Sequence, residues 1–145
     1  MEDVREKGVK LLRKNSGTLL AAAVALLTAL VIFSGGVSAS LGEDALRVSA
    51  TFAAPFSVRY DEIRSARLIE DPDAGRRLSG MRGERIMAGR YLNGEFGSYT
   101  LYAYARVPLG IDLLTANGHV VINAANEEAT RALYEELLDR LPDIP

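Results

Sequence analysis

An uncharged stretch near the start of the chain limits its fold more than any other feature. From residue 15 to residue 42 there is no Asp, Glu, Lys or Arg, and residues 18–33 within it are almost continuously apolar. At about 1.5 Å of rise per residue, a helix from Gly17 to Gly36 is long enough to cross a hydrocarbon core of about 30 Å. The stretch therefore predicts one transmembrane helix over residues 17–36, with the lipid bilayer as its partner.

Positive charge is distributed unequally on the two sides of this stretch. Five Lys or Arg residues lie within residues 1–15, whereas residues 37–56 contain only Arg47. Because positively charged flanks stay on the cytoplasmic side, we expect a cytoplasmic tail over residues 1–16 and a domain outside the plasma membrane. The small residues Val37, Ser38 and Ala39 are also typical of a signal-peptidase site, so a domain secreted after cleavage at Ala39 is the alternative. A core of 16 or more apolar residues exceeds that of a usual signal peptide, which favours a retained anchor.

Small residues recur at every fourth position of the predicted span. Ala21, Ala25 and Ala29 would lie on one face of the helix, and small residues at this spacing allow two spans to pack closely. The other interpretation is that the segment is simply rich in alanine. A homo-oligomer is therefore one of the expected alternatives.

The composition excludes several classes of function. The chain has no cysteine, which rules out disulfides and thiolate metal sites. The formal net charge is −2, and the positive residues of the tail hide a more acidic remainder, which is unsuited to neutralising nucleic-acid phosphates. Residue patterns typical of phosphate-binding loops, zinc proteases and serine hydrolases are also missing. We expect no enzyme activity, no catalytic residues, no cofactor and no metal.

Short alternating segments follow the predicted span and indicate a β-rich domain. Residues 37–44 resemble a flexible linker, and the domain is expected over residues 45–142. Alternation of apolar and polar residues predicts seven strands, with a long loop over residues 70–83 and a tight hairpin turn at Asn117-Gly118. A closing helix is expected over residues 126–141, with Asn126 as its N-cap and Pro142 ending it.

Three segments resemble bacterial pleckstrin-homology-like domains. They are residues 60–68 (YDEIRSARL), residues 89–102 (GRYLNGEFGSYTLY) and residues 114–123 (LTANGHVVIN), followed by the helix with its acidic start. The resemblance covers residues 46–141 and implies a mainly β fold: a partly open, seven-stranded antiparallel barrel of two sheets, capped by the C-terminal helix. Members of that family are often attached to membranes. The resemblance brings no catalytic residues and no shared ligand.

Two groups of residues are candidate contacts for a protein partner or an anion. Arg76 and Arg77 lie in the predicted long loop, with Arg82 nearby, and guanidinium groups pair well with carboxylates and phosphates. The other interpretation is that these arginines cover a solvated face and pair with acidic residues such as Asp71, Asp73 and Glu84.

The second group is a predicted aromatic and basic stripe on one strand. It consists of Tyr102, Tyr104 and Arg106, and Tyr and Arg are enriched in binding hot spots. Such residues also commonly pack against a neighbouring strand. His119 is expected to be an ordinary surface residue just beyond the hairpin turn.

These observations predict a membrane-anchored binding or scaffolding module that mediates protein–protein contact at the membrane. The alternative is an exported domain that binds a small ligand or an envelope polymer after signal cleavage.

Overall fold

The computed structural model of the chain describes residues 17–21 and 36–143. The chain divides into two units, Met1–Ser34 and Gly35–Pro145. Residues 17–21, at the start of the predicted span, are helical. Residues 22–35 of the span and the expected cytoplasmic tail lie outside the described residues. Within the part that is described, no helix is both long and apolar enough to cross a membrane.

The second unit opens with a three-stranded antiparallel sheet. Its strands are β1 (Val37–Leu41), β2 (Ala45–Ala50) and β3 (Phe56–Arg59), in that spatial order. The flexible linker expected over residues 37–44 is wrong, because residues 37–41 pair in register with β2 from Val37 opposite Ala50 to Leu41 opposite Leu46. Small residues made this strand look like a linker, whereas its alternation places Val37 in the core.

A larger, six-stranded sheet follows a short 3-10 helix at Tyr60–Glu62. Its strands are β4 (Ile63–Glu70), β5 (Arg76–Arg82), β6 (Ile86–Asn93), β7 (Gly97–Tyr104), β8 (Leu109–Thr115) and β9 (Gly118–Ile122). Their spatial order is β4-β8-β9-β7-β6-β5. The described residues thus form nine strands in two sheets, and no closed barrel.

Three sequence-based expectations for the strands of the domain are corrected. Nine strands replace the predicted seven, and β5 occupies much of the loop expected over residues 70–83. The sheet is also not wholly antiparallel, because β9 pairs parallel to β7, with Thr100 opposite Val120. The tight hairpin after Thr115 makes β9 antiparallel to β8, and β9 then lies between β8 and β7.

The main core lies between the two sheets and the closing helix α1 (Glu127–Arg140). As predicted, the side chain of Asn126 caps the helix, accepting a hydrogen bond of 2.7 Å from the backbone N–H of Ala129. Leu137 is fully buried against the core, and Leu133 and Tyr134 pack beside it. The last residue of α1 is Arg140, two positions before Pro142, which cannot continue a helix.

A second apolar cluster lies on the other face of the six-stranded sheet. Its buried members are Tyr91, Tyr99, Leu101, Ala103 and Val121. Successive side chains of β7 point to opposite faces of the sheet. Tyr102 therefore packs in the main core, whereas its neighbours Leu101 and Ala103 pack in this second cluster. The central strands β7, β8 and β9 are therefore largely buried, whereas β4 and β5 at the two edges keep many exposed positions.

Two glycines face each other where β5 joins the sheet. Gly80 pairs with Gly89 of β6, and both have positive φ, at 89° and 132°. A Cβ atom on Gly89 would lie 2.4 Å from the carbonyl oxygen of Ser79 and 2.8 Å from the Cα of Gly80. The backbones therefore approach more closely than side chains allow, which fixes the edge strand tightly against β6.

Candidate functional site

The strand β5 is an edge of the six-stranded sheet and presents an unusual arginine-rich surface. Arg76, Arg77 and Arg82 are all exposed, and a bulge next to Arg77 leaves Leu78 47% exposed. With Arg85 and Arg90, the hairpin of β5 and β6 carries five arginines against a single acidic residue, Glu84. We call this element, residues 76–93, the arginine hairpin.

None of these five arginines forms an ion pair with any residue that the structure describes. In that part of the chain, the arginines within 4.0 Å of a carboxylate are Arg59, Arg67 and Arg140. The interpretation that the hairpin arginines pair with Asp71, Asp73 or Glu84 is therefore wrong. No ion pair with a described residue neutralises their charge.

The hairpin arginines instead donate to neutral acceptors. Arg82 Nη1 donates to the carbonyl oxygen of Gly75 at 2.6 Å, and Arg77 Nη1 donates to the carbonyl oxygen of Gly80 at 3.3 Å. The hydroxyl of Tyr91 donates to the carbonyl oxygen of Met81. Two of these acceptors, Gly80 and Met81, lie in β5, and Gly75 directly precedes it. Charged side chains and a bulge, both present here, are common protections of an edge strand against pairing with another chain. A guanidinium has five N–H donors, so most of those on Arg77 and Arg82 are left for a ligand.

The predicted stripe of Tyr102, Tyr104 and Arg106 does not exist as one surface. Tyr102 is buried in the main core, where its ring packs 6.2 Å from that of Phe56 and burial raises its pKa. Its hydroxyl donates to the carbonyl oxygen of Ala54 at 2.8 Å. The strand ends at Tyr104, so Arg106 lies in the following turn rather than on β7.

Tyr104 and Arg106 instead line a cleft that the sequence did not predict. The cleft has a volume of about 470 Å³, and its other lining residues are Glu84, Arg85 and Ala125. The backbone N–H of Ala105 donates to the carbonyl oxygen of Arg85 at 2.9 Å, which holds the two arginine-bearing turns together. Two guanidinium groups against the single carboxylate of Glu84 give the lining a net positive charge, which suits an anion.

A buried carboxylate on the second face organises another polar cluster. Asp112 is 2% exposed, and its two oxygens take different partners: Arg67 Nε at 2.9 Å and His119 Nδ1 at 2.8 Å. Arg67 also reaches Glu95 at 2.9 Å, and these hydrogen bonds to Asp112 and Glu95 raise the pKa of Arg67. The ring of Phe96 stacks 4.6 Å from that of His119.

This cluster shows that His119 is not an ordinary surface residue, as the sequence suggested. It ties β9 to β8 through Asp112, and Phe96 links it to the turn between β6 and β7. The sequence signal for this cluster is a single charged residue, Asp112, within the otherwise apolar segment LGIDLL. A charge in a buried strand needs partners, and these could have been sought among nearby polar residues. No group of three His, Cys, Asp or Glu residues suited to a metal ion occurs among the described residues.

Burial of tyrosines beside this cluster predicts a loss of stability in alkaline solution. Burial, with a smaller effect from Asp73, raises the pKa of Tyr99 to about 12, and its hydroxyl donates to the carbonyl oxygen of Ala74. An unfolded tyrosine titrates near 10, so the folded state favours the neutral phenol. We therefore expect the stabilisation from the neutral Tyr99 phenol to be complete below about pH 10 and to be lost as the pH rises towards about 12. The free energy of unfolding should fall by about 2 kcal/mol over this range. Urea unfolding at successive pH values measures it.

The control for this experiment is Tyr99→Phe, which cannot ionise. The variant starts with lower stability because it lacks the hydrogen bond to Ala74, but its stability should fall less steeply above pH 10. Burial also raises the pKa of Tyr91 and of Tyr102, so some alkaline dependence should remain. Parallel curves for the two proteins would contradict the role of Tyr99.

No model of a known protein family, no curated protein and no solved structure matches this chain. The arguments for its function therefore rest on its own residues. Asp112 is paired with Arg67 and His119 of the same domain. The arginines of the hairpin and of the cleft, in contrast, have no ion-pair partner among the described residues.

Proposed function

We propose that this protein is a membrane-anchored binding module whose arginine hairpin holds an acidic segment of a protein partner. The apolar residues 17–36 act as the anchor, with the N-terminal tail in the cytoplasm and the β-rich domain on the outer side of the plasma membrane. The domain is a scaffold for recognition and not a catalyst, so no cofactor is involved.

One observation carries the proposal: five arginines crowd one hairpin, and no described carboxylate lies within ion-pair distance of any of them. The chain as a whole has a formal net charge of −2, so the surface opposes the overall charge of the protein. Concentrated positive charge of this kind attracts acidic partners over a distance and excludes basic ones.

The local geometry favours recognition through side chains. Arg77 and Tyr91 already cover carbonyl groups of β5, and Arg82 covers the carbonyl just before the strand, so an incoming strand would find fewer free acceptors than at a bare edge. Guanidinium groups can bind carboxylates in a bidentate manner. Leu78 stands between them with 47% of its surface exposed and offers an apolar contact. A partner segment that alternates acidic and apolar residues fits this arrangement.

We infer a pleckstrin-homology-like fold for the domain. Support comes from its mainly β composition, its two sheets and its closing helix, together with the three sequence segments that resemble the family. The parallel pairing of β7 and β9 and the two additional strands are departures from a seven-stranded antiparallel barrel.

The position of Ala39 supports a retained anchor. Ala39 lies in the middle of β1, opposite Val48, so cleavage after it would remove the first three of the five residues of a paired strand. It would also remove Val37, whose carbonyl oxygen accepts a hydrogen bond of 3.1 Å from the hydroxyl of Tyr104. The released form is the second candidate, as a binder of a small anion, and the cleft lined by Arg85 and Arg106 is the observation that favours it.

Site-specific photocrosslinking in intact cells tests the proposal. A photoreactive phenylalanine analogue at position 78 should give discrete protein adducts, whereas the same analogue at position 138 should not. Position 138 is the matched control, because Leu138 lies on a different type of surface, a helix, with a similar exposure of 43% against 47%. Loss of two charges through Arg76→Gln with Arg77→Gln should reduce the adduct yield at position 78 about tenfold.

A second control removes the same charge elsewhere. Arg64→Gln with Arg131→Gln changes two exposed arginines outside the hairpin and should leave the yield at position 78 unchanged. Equal yields from both double variants, or adducts with lipid alone, would contradict a protein partner at the arginine hairpin.

A further inference from the structure

The turn between β2 and β3 exposes a large apolar side chain at its tip. Phe52 is 83% exposed and has a φ of 61°, a left-handed conformation that is unusual for a bulky residue. The whole turn, residues 51–55 (TFAAP), contains no charge. We call these five residues the Phe52 loop. A left-handed φ at a residue other than glycine is energetically unfavourable, and such strained positions cluster at sites of contact with other molecules.

The Phe52 loop is held firmly at both ends. Its first residue, Thr51, exchanges hydrogen bonds with Gly36: the hydroxyl of Thr51 accepts from the Gly36 N–H at 3.2 Å, and the Thr51 N–H donates to the Gly36 carbonyl at 3.3 Å. Near its other end, the buried Tyr102 donates to the carbonyl oxygen of Ala54 at 2.8 Å. The loop is thus fixed beside the residue at which the chain enters the domain.

Gly36 also marks the end of the apolar stretch. Phe33, the last residue of the apolar run, precedes Gly36 by only three positions in the sequence. If the span ends at the lipid surface, Gly36 lies at that surface. The hydrogen bonds between Gly36 and Thr51 then place the neighbouring Phe52 at the surface as well. We propose that the Phe52 loop is a second membrane contact that inserts its phenyl ring into the interfacial layer of the bilayer. The inference rests on the proposed membrane anchor.

Other residues at this end of the domain suit a lipid interface. The hydroxyl of Tyr104 donates to the carbonyl of Val37, the residue after Gly36, and Tyr104 lines the cleft that Arg85 and Arg106 share. Aromatic rings are enriched at membrane interfaces, and guanidinium groups bind the phosphates of headgroups. One end of the domain therefore combines an exposed apolar loop with two arginines, and a bilayer satisfies both.

Tryptophan fluorescence in vesicles tests the contact directly. The chain contains no tryptophan, so Phe52→Trp introduces a single reporter at the loop. The full chain would be reconstituted into vesicles of phosphatidylcholine and phosphatidylglycerol, with and without brominated acyl chains. We expect the bromine atoms to quench the emission of this loop reporter by about half or more. Its emission should also lie at shorter wavelength than that of an exposed tryptophan.

Leu138→Trp is the matched control. Leu138 is exposed on α1 near Arg140, which donates to the carbonyl of Gly42 at the end of β1 opposite to Gly36. Its emission should resist quenching by brominated lipid. Flotation of the same vesicles measures the anchor separately. Protein that floats with the vesicles while the loop reporter remains unquenched would overturn the loop contact and leave the anchor intact. Protein that does not float would overturn the anchor first, and the loop contact with it.

A charge variant examines the arginines in the same vesicles. Arg85→Gln with Arg106→Gln should reduce the quenching of the loop reporter when phosphatidylglycerol is present and should have little effect in phosphatidylcholine alone. Blue-shifted emission of the loop reporter without bromine quenching would instead place the loop against protein, such as a second copy of this chain, and would overturn the proposal.

Discussion

Replacing Gly89 with alanine is expected to loosen the edge strand β5 from the sheet and to lower the free energy of unfolding by about 3 kcal/mol. The new Cβ would lie 2.4 Å from the carbonyl oxygen of Ser79 and 2.8 Å from the Cα of Gly80. Both contacts are with backbone, which cannot move aside as the end of a side chain can. The φ of 132° adds strain for any residue other than glycine.

Substitutions at two further glycines separate the clash of the new Cβ from the strain of a positive φ. Gly97 has a φ of 68° but open space around its Cα, so Gly97→Ala should cost only about 1 kcal/mol. Gly94 has open space and no positive φ, and Gly94→Ala should be nearly neutral. The expected order of destabilisation is therefore Gly89, Gly97 and Gly94, as measured by urea unfolding of the full chain in a mild detergent.

Hydrogen–deuterium exchange identifies the part that loosens. In Gly89→Ala, the backbone amides of residues 76–82 should exchange faster, while those of α1 should keep their protection. The same variant should weaken the photocrosslink from position 78, because the arginines would no longer be held in one arrangement. Uniformly faster exchange across the domain would show that Gly89 supports the whole fold and not the edge strand.

The elements with strong local signals could be predicted from the sequence. The closing helix has a capping asparagine, acidic residues in its first turn and an apolar stripe, and the structure has it at Glu127–Arg140. A tight hairpin joins β8 and β9 as expected, but its two turn residues are Ala116 and Asn117, one position earlier than predicted, and Gly118 already pairs with Thr115. The mainly β character followed from alternation, because residues on successive positions of a strand face opposite sides.

Two strands with weak local signals could not be predicted, β5 because its residues are exposed on both faces and β1 because its alternating residues are small. β5 is exposed on both faces, so its sequence RRLSGMR shows no buried positions and resembles a loop. It forms a strand because two facing glycines let its backbone approach β6. β1 was not predicted because its small side chains resemble those of a linker. Its pairing with β2 is a tertiary contact, which the local sequence does not reveal. The parallel pairing of β7 and β9 also depends on the order of strands in space.

The candidate site shows the same limit. The sequence indicated the arginines of β5, but their lack of acidic partners among the described residues depends on where the carboxylates lie in three dimensions. It also grouped Tyr102 with Tyr104 by alternation, whereas the structure buries one and places the other at the rim of a cleft. The joining of Asp112 to Arg67 spans 45 positions, so no local pattern could reveal it.

Removal of the buried carboxylate is the second change with a large expected effect. Asp112→Ala should lower the free energy of unfolding by about 3 kcal/mol, because it takes the shared partner away from Arg67 and His119. The loss should be smaller than for a fully buried ion pair, since the Arg67 side chain is 54% exposed and can turn to water. Urea unfolding measures this change, with Glu136→Ala as the control for an exposed ion pair, that with Arg140.

Asp112→Asn distinguishes the charge of the carboxylate from its shape. The amide oxygen can still accept from Arg67 Nε, but the amide nitrogen must then face His119 Nδ1 as a donor. We therefore expect the neutral imidazole to move its proton from Nδ1 to Nε2. His119 is the chain's only histidine, so its ring nitrogen NMR signals at about pH 9 report this exchange without overlap. An unchanged tautomer would mean that Asp112 does not orient the ring. The cluster would then hold β8 to β4 through Arg67 alone, and Phe96 would be sufficient to position His119.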